Sequence, residues 1–564
     1  MGEEPIGAFS FVLHSHLPYC RRAGRWPHGE EWLHEAASET YLPLLDVLRG
    51  LQGRGVPFNL TIGITPILAE QLADGTVRAN LRDFMEEKHA RAAEDVQRFA
   101  HAGDDRRLAA ARWYRGRYER LLALYEELGG SVLSGFKALQ DAGLLEIATS
   151  AATHGYMPLM ERDSTISAQF AVGAQSYRRH FGREPRSCWL PECAYRPSFM
   201  AELGGQRYVK PGVQTFMAEN GLNLFFVETH TLEGGAPVGK AQGDAVGPYG
   251  SIPRRYVVPL PDYPPPRDRT TFLPYWVETP DVAVLGRNSR TGLQVWSASH
   301  GYPGDFDYRE FHKRDGVSGL HYWRVTGAGV DLGEKDRWDP AVAFDRTNSH
   351  ADHFAGLVED ELNGYRARAG GPGIIAAAYD TELFGHWWFE GIEWLGKVLE
   401  RLSRRPGIAL SSAGGWVAAH PAEEVLALPE SSWGQAGNHF TWLNADTEWM
   451  WPIIHAGERR MERLVEQHPA AEGGLAIVLN QCARELLLLE SSDWPFLVTT
   501  GQAREYAIER FESHVDRFNR LAAFADSGEP GPAGCTLAEE LWELDKVFPM
   551  IDYRLFRSRE PAAG

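Results

Sequence analysis

Two carboxylates occupy positions where chemistry is commonly done. Glu192 follows Pro191 in SCWLPECAYRP, residues 187–197, and Asp380 follows the apolar run IIAAAY, residues 374–379. Proline cannot donate to a sheet ladder, so Pro191 marks the end of the strand that Cys188, Trp189 and Leu190 begin. An acid just past the carboxyl end of a buried strand is where α/β barrels keep catalytic groups. Paired carboxylates are the machinery of glycosidic bond exchange: one attacks the anomeric carbon and the other protonates the leaving oxygen. Glu382, two residues beyond Asp380, is a rival for the acid role, and Arg196 offers Glu192 a purely structural ion pair.

Histidines and aromatics gather in similar places. His14 and His16 follow the strand pattern AFSFVL and, two apart in extended chain, share a face. His154 follows LLEIATSA at residues 145–152. These are sugar-hydroxyl partners, structural histidines, or, with Asp380, ligands of a metal-dependent hydrolase such as a polysaccharide deacetylase; that last reading leaves Glu192 idle. Trp433 and Trp442 lie in SWGQAGNHFTWLNADTEWMW, too rich in Gly and Asn to read as simple core. Tyr249 is the one aromatic in the Gly-rich stretch 233–251, which composition predicts to be mobile. Asp493, at the break in ESSDWPF, is a helix cap or a site residue.

The elements that must position these groups alternate. Strand patterns at 8–13, 58–64, 145–152, 187–190, 222–227, 282–285, 293–296, 374–379 and 408–410 are interleaved with helical ones, which predicts a (β/α) barrel. Residues 76–128 carry apolar residues at three- and four-residue spacing and predict a helical insertion. Beyond about residue 415 strand signals vanish, and helical patterns at 475–489 and 508–521 predict a helical C-terminal domain. The expected division is a catalytic part, residues 1–415, and a helical part, residues 416–564.

Bulk composition narrows the partners. The chain has 564 residues, 43% hydrophobic, and a formal net charge of −19 with no basic tract, which disfavours nucleic acid and anionic membranes. No run approaches a membrane span, no signal peptide is evident, and five cysteines without CxxC spacing suit reduced thiols, so a cytoplasmic location is expected.

In order along the chain, HSHLP, ATHGYMP, WLPECAY, YDTELFGHWWFEG and ESSDWPF resemble the five signature regions of glycoside hydrolase family 57. The resemblance spans residues 8 to about 527, and within the family it is greatest to the 1,4-α-glucan branching enzymes, on WSASHGYPGD, Trp433, Trp442 and the helical C-terminal part. It implies an incomplete (β/α)7 barrel with a helical insertion and a helical C-terminal domain closing the cleft. It implies Glu192 as nucleophile and Asp380 as general acid/base, with His14, His16, His154, Arg287, Trp296, Gly304, Trp433, Trp442 and Asp493 lining glucan subsites and Tyr249 on a loop over them. It implies α-glucan (amylose, amylopectin, glycogen) as substrate and no cofactor or metal. An α-amylase or 4-α-glucanotransferase of the same family is the alternative, and a glycogen-binding protein without catalysis would need no paired acids.

Overall fold

The computed structural model describes residues 5–25, 27–203, 205–237, 246–247, 250–251, 258, 260, 262–296 and 301–560. Seven strands run parallel in sequence: β1 Gly7–Ser15, β2 Thr61–Ile64, β3 Glu146–Ala148, β4 Ser187–Cys188, β5 Leu224–Val227, β6 Thr279–Gly286 and β7 Gly373–Asp380. Spatially, β7 lies beside β1, followed by β2 and β3. A lone parallel bridge, Thr149 to Cys188, carries the order on to β4, then β5 and β6. Between β6 and β7 the wall is left open and spanned by Asn288 N–H donating to Ala376 O at 3.1 Å. This is the expected incomplete seven-stranded barrel. A short eighth strand, β8 Ile408–Leu410, takes the first half of the β1 edge that β2 leaves unpaired.

Pleat alternation sorts each strand onto two faces. In β7, Ile375, Ala377 and Tyr379 join Phe9, Phe11 and Leu13 of β1 in an outer core with the flanking helices. Ile374, Ala376 and Ala378 join Ala8 and Val12 on the inner face, where they meet Trp433, Trp442 and the C-terminal helices. Small inner residues leave room for the C-terminal part to pack inside the half-barrel. The same period places His14 and Asp380 on that inner face.

The insertion consists of α3 Gly75–Ala102 and α4 Asp105–Glu127, an antiparallel pair capped by Asp74 and Asp104. The C-terminal helices include α6 Met450–Gln467, α7 Gly473–Leu489, α8 Asp493–Thr500 and α9 Arg504–Asp526. Two expectations are corrected. Residues 293–296 are not a strand but the end of α5, Ser289–Trp296, because Asn288 accepts from Thr291 N–H at 2.9 Å and starts a helix. Strand pairing also persists past residue 415, where Val425–Leu426 pairs with Trp276 and Val277. No described helix is long and apolar enough to cross a membrane.

Candidate active site

Asp380 is the last residue of β7 and sits opposite His14 in the β1 register. His14 is buried, with its ring stacked on Trp189 at 4.8 Å and 12°. His14 Nε2 and His154 Nε2 share a hydrogen bond at 3.1 Å. His154 Nδ1 in turn lies 3.9 Å from Glu192 Oε1 and 2.9 Å from Ser492 Oγ. The two histidines therefore link β1, which pairs with the strand ending in Asp380, to the loop that carries Glu192.

That loop is bent in a way few residues accept. Pro191 stops β4, and Glu192 takes a left-handed conformation, φ 61° and ψ 23°, with Cys193 at φ 49° and His154 at φ 58°. Each non-glycine residue held there costs on the order of 1–3 kcal/mol, which persists only where surrounding contacts determine it. Those contacts come from the C-terminal part. Trp433 N–H donates to Glu192 O at 3.0 Å, and Tyr195 and Ser431 exchange backbone hydrogen bonds. Trp433 Nε1 donates to Glu192 Oε2 at 2.7 Å, and Ser492 Oγ to Oε1 at 3.4 Å. Ser492 N–H also donates to His154 O at 3.0 Å.

His16 stacks on His154 with ring centroids 3.8 Å apart, and its Nε2 bonds Asp493 Oδ1 at 3.0 Å while Nδ1 faces Thr65 Oγ1 at 3.1 Å. Burial opposes its protonation, but the Asp493 carboxylate, helped by Glu192 and Glu382, outweighs burial and raises the His16 pKa. Asp493 is the first residue of α8 rather than its cap, and its carboxylate reaches across to the barrel. Glu382 is held by His16 N–H at 3.2 Å and by the Tyr41 hydroxyl on the same Oε1. Burial pushes its carboxyl up to about 8, with the Asp380 charge adding and Tyr41 and His16 opposing.

The other expected residues fall in different settings. Arg287 is buried and donates to Glu228 Oε1 at 2.5 Å, so it enters as half of an ion pair at two neighbouring strand ends. Trp433 and Trp442 are only 3% and 1% exposed, and Trp442 stacks on Tyr156 at 4.3 Å, so neither is an open platform here. Trp296, at the end of α5, is partly buried against the outer core. Gly304 closes a short turn, Tyr302–Gly304, anchored through Tyr302 on His353. Tyr249, with most of the stretch 233–251, lies outside the described residues.

Sequence reasoning did not single out Ser492, Trp189, Tyr41 or Glu228 as site residues. Glu228 carried the same signal as the two catalytic candidates, an acid at a strand end, whereas Tyr41 carried none.

As for metals, His16, His154 and Asp493 each offer a ligand atom within 4.8 Å of one another, as do Glu485, His514 and Asp545. In the first group His16 Nε2 bonds Asp493 and the His154 ring stacks on His16, while the two His154 nitrogens already face His14 and Ser492. In the second, Arg510 lies 3.2 Å from His514 and Arg517 bonds Asp545, which places positive charge where a cation would go.

Residues 10–429 match glycosyl hydrolase family 57. The chain belongs to that family. Residues 453–556 match the C-terminal region of 1,4-alpha-glucan branching enzymes. The chain is 43% identical over 558 residues to a 1,4-alpha-glucan branching enzyme of Thermococcus kodakarensis, covering 98% of this chain and 79% of the relative. It superposes on the crystal structure of the branching enzyme from that organism with a TM-score of 0.89 at 42% identity, covering 99% of this chain and 97% of the other. The branching enzyme of Pyrococcus horikoshii gives 0.87 at 41% identity, with 99% and 98% covered. The α-amylase AmyC of Thermotoga maritima gives 0.81 at 28% identity, with 98% and 100% covered.

Proposed function

We propose that this family 57 chain is a 1,4-α-glucan branching enzyme that works by double displacement. The observation supporting the reading is a strand-end pair of acids: Asp380 ends β7 beside His14 in the β1 register, and His14 bonds His154, which lies 3.9 Å from Glu192, in a chain that also matches the branching-enzyme C-terminal region. Glu192 attacks the anomeric carbon while Asp380 gives its proton to the departing 4-oxygen, leaving a glycosyl ester on Glu192. A glucose 6-hydroxyl then attacks the ester, Asp380 takes its proton back, and an α-1,6 bond of retained configuration results. Such chemistry requires the carboxyl groups ~5–5.5 Å apart. The indole N–H of Trp433 holds the Glu192 carboxylate for attack and stabilises it as leaving group in the second step. His14, His16, His154, Asp493 and Arg287 bind the glucan, and Tyr249 together with Trp296, Trp433 and Trp442 excludes water from the intermediate. Amylose, amylopectin and glycogen are the substrates, in a cytoplasmic, glycogen-building role, with no metal or cofactor.

Hydrolysis is the second reading, favoured by the 28% identity to an α-amylase of the same fold. It shares the first displacement and differs in the acceptor. Incubation with amylose, followed by enzymatic debranching and chain-length analysis, separates the two. New α-1,6 linkages with few new reducing ends support branching, and reducing ends without α-1,6 linkages support hydrolysis.

A further inference from the structure

Between helices α1, Glu30–Ala36, and α2, Leu42–Gly53, the chain makes a π-helical turn, Ala37–Tyr41. Such turns are rare and recur at functional sites. Consecutive residues of an α-helix point about 100° apart and rarely serve one partner. Here three in a row grip one segment, the loop that follows Asp380. Glu39 Oε2 accepts from His386 Nδ1 at 2.9 Å, Thr40 Oγ1 donates to Phe384 O at 2.8 Å, and the Tyr41 hydroxyl donates to Glu382 Oε1. The approach is close enough that Glu39 O occupies the space a Cβ at Gly385 would need, and Gly385 has φ +94°.

The Glu39 and Glu382 ends of this grip are reinforced. Arg309 donates to Glu39 Oε1 at 2.9 Å and to His386 O at 3.4 Å. Burial would raise the Glu39 carboxyl, but Arg309 and His386 hold it well below the usual range, so this anchor is charged. From the barrel side, Ser15 and Thr381 share a hydroxyl hydrogen bond at 2.8 Å, and His16 N–H meets the same Glu382 oxygen. The loop is therefore clamped between β1 and the π-turn, starting one residue after Asp380.

We propose that Tyr41, presented by this π-turn, is a positioning residue for the acid/base step: through Glu382 it fixes the chain that aims Asp380 at the glycosidic oxygen. The inference rests on the functional reading above, in which Asp380 delivers the proton as the bond from C1 to the leaving oxygen breaks and the bond from C1 to Glu192 forms.

The test compares two leaving groups. Tyr41→Phe keeps the ring and loses only the donor. Amylose needs protonation of its leaving oxygen, whereas a maltooligosyl fluoride departs with little help. On amylose, kcat of the variant should fall about tenfold or more, a fraction of the roughly 10²–10⁴-fold a placed general acid supplies, with KM little changed. The initial burst of fluoride release, which reports the first displacement alone, should stay within about twofold of wild type. Thr40→Val, which removes the donation to Phe384 O, should show the same bias if Tyr41→Phe proves poorly folded. Equal losses on both substrates, or undiminished turnover of amylose, overturn the inference. A wild-type protein that processes neither substrate overturns the functional reading itself, and with it the role assigned to Tyr41.

Discussion

Trp433 donates its indole N–H to Glu192 Oε2 at 2.7 Å, and its backbone N–H donates to the carbonyl of the same glutamate at 3.0 Å. A residue from beyond the barrel thus fixes both the backbone and the carboxylate of the proposed nucleophile. A hydrogen bond to a charged group contributes about 1.5–3 kcal/mol. Trp433→Phe keeps a buried ring and removes the indole donor, so kcat on amylose should drop roughly ten- to a hundredfold. Steady-state kinetics beside a melting curve check this, and an unchanged kcat would show that the indole N–H does not serve the chemistry.

The His16–Asp493 contact ties barrel to C-terminal helices and should be read in stability against pH. The folded-state pKa of His16 is raised, so the contribution is complete below its ordinary value of ~6.5 and fades as pH rises through the folded value. Asp493→Asn should therefore lower Tm more at about pH 6 than at about pH 9. Calorimetry at both values measures the gap. A deficit that is constant, or that widens with pH, contradicts the assignment.

Metal content offers an independent check on the histidine cluster. His16 Nε2 is bonded to Asp493, and the His14 and His154 Nε2 atoms are bonded to each other, so these ring nitrogens already have hydrogen-bond partners within the protein. Purified protein should hold no stoichiometric zinc and should branch amylose unimpaired in excess chelator. Stoichiometric metal whose removal abolishes activity would favour a metallohydrolase.

The legibility of this site in the sequence follows from what each residue depends on. Asp380 was readable because β7 is one unbroken buried run that ends at it. Glu192 was readable through Pro191, but its left-handed backbone was not, since that conformation is imposed by Trp433 and Ser431 from 241 or so residues away. Residues 293–296 read as a strand because Leu293, Val295 and Trp296 suit one, while the Asn288 cap that makes them helical lies outside that short window. Trp442 did not read as simple core because its neighbours are Gly and Asn; only the packing shows it buried with Tyr156 on its face. The π-turn at Ala37–Tyr41 left no local trace, because an extra residue in a helical turn changes no composition pattern.

The central claim, a covalent intermediate on Glu192 with Asp380 as proton carrier, can be tested by trapping. Asp380→Asn should still be glycosylated by a maltooligosyl fluoride, whose leaving group needs little acid, but should pass the chain on slowly. After proteolysis, mass spectrometry should then find the glycosyl mass on the peptide containing Glu192, and Glu192→Gln should show none. A glycosyl mass on any other residue, or an adduct that survives Glu192→Gln, would contradict the account.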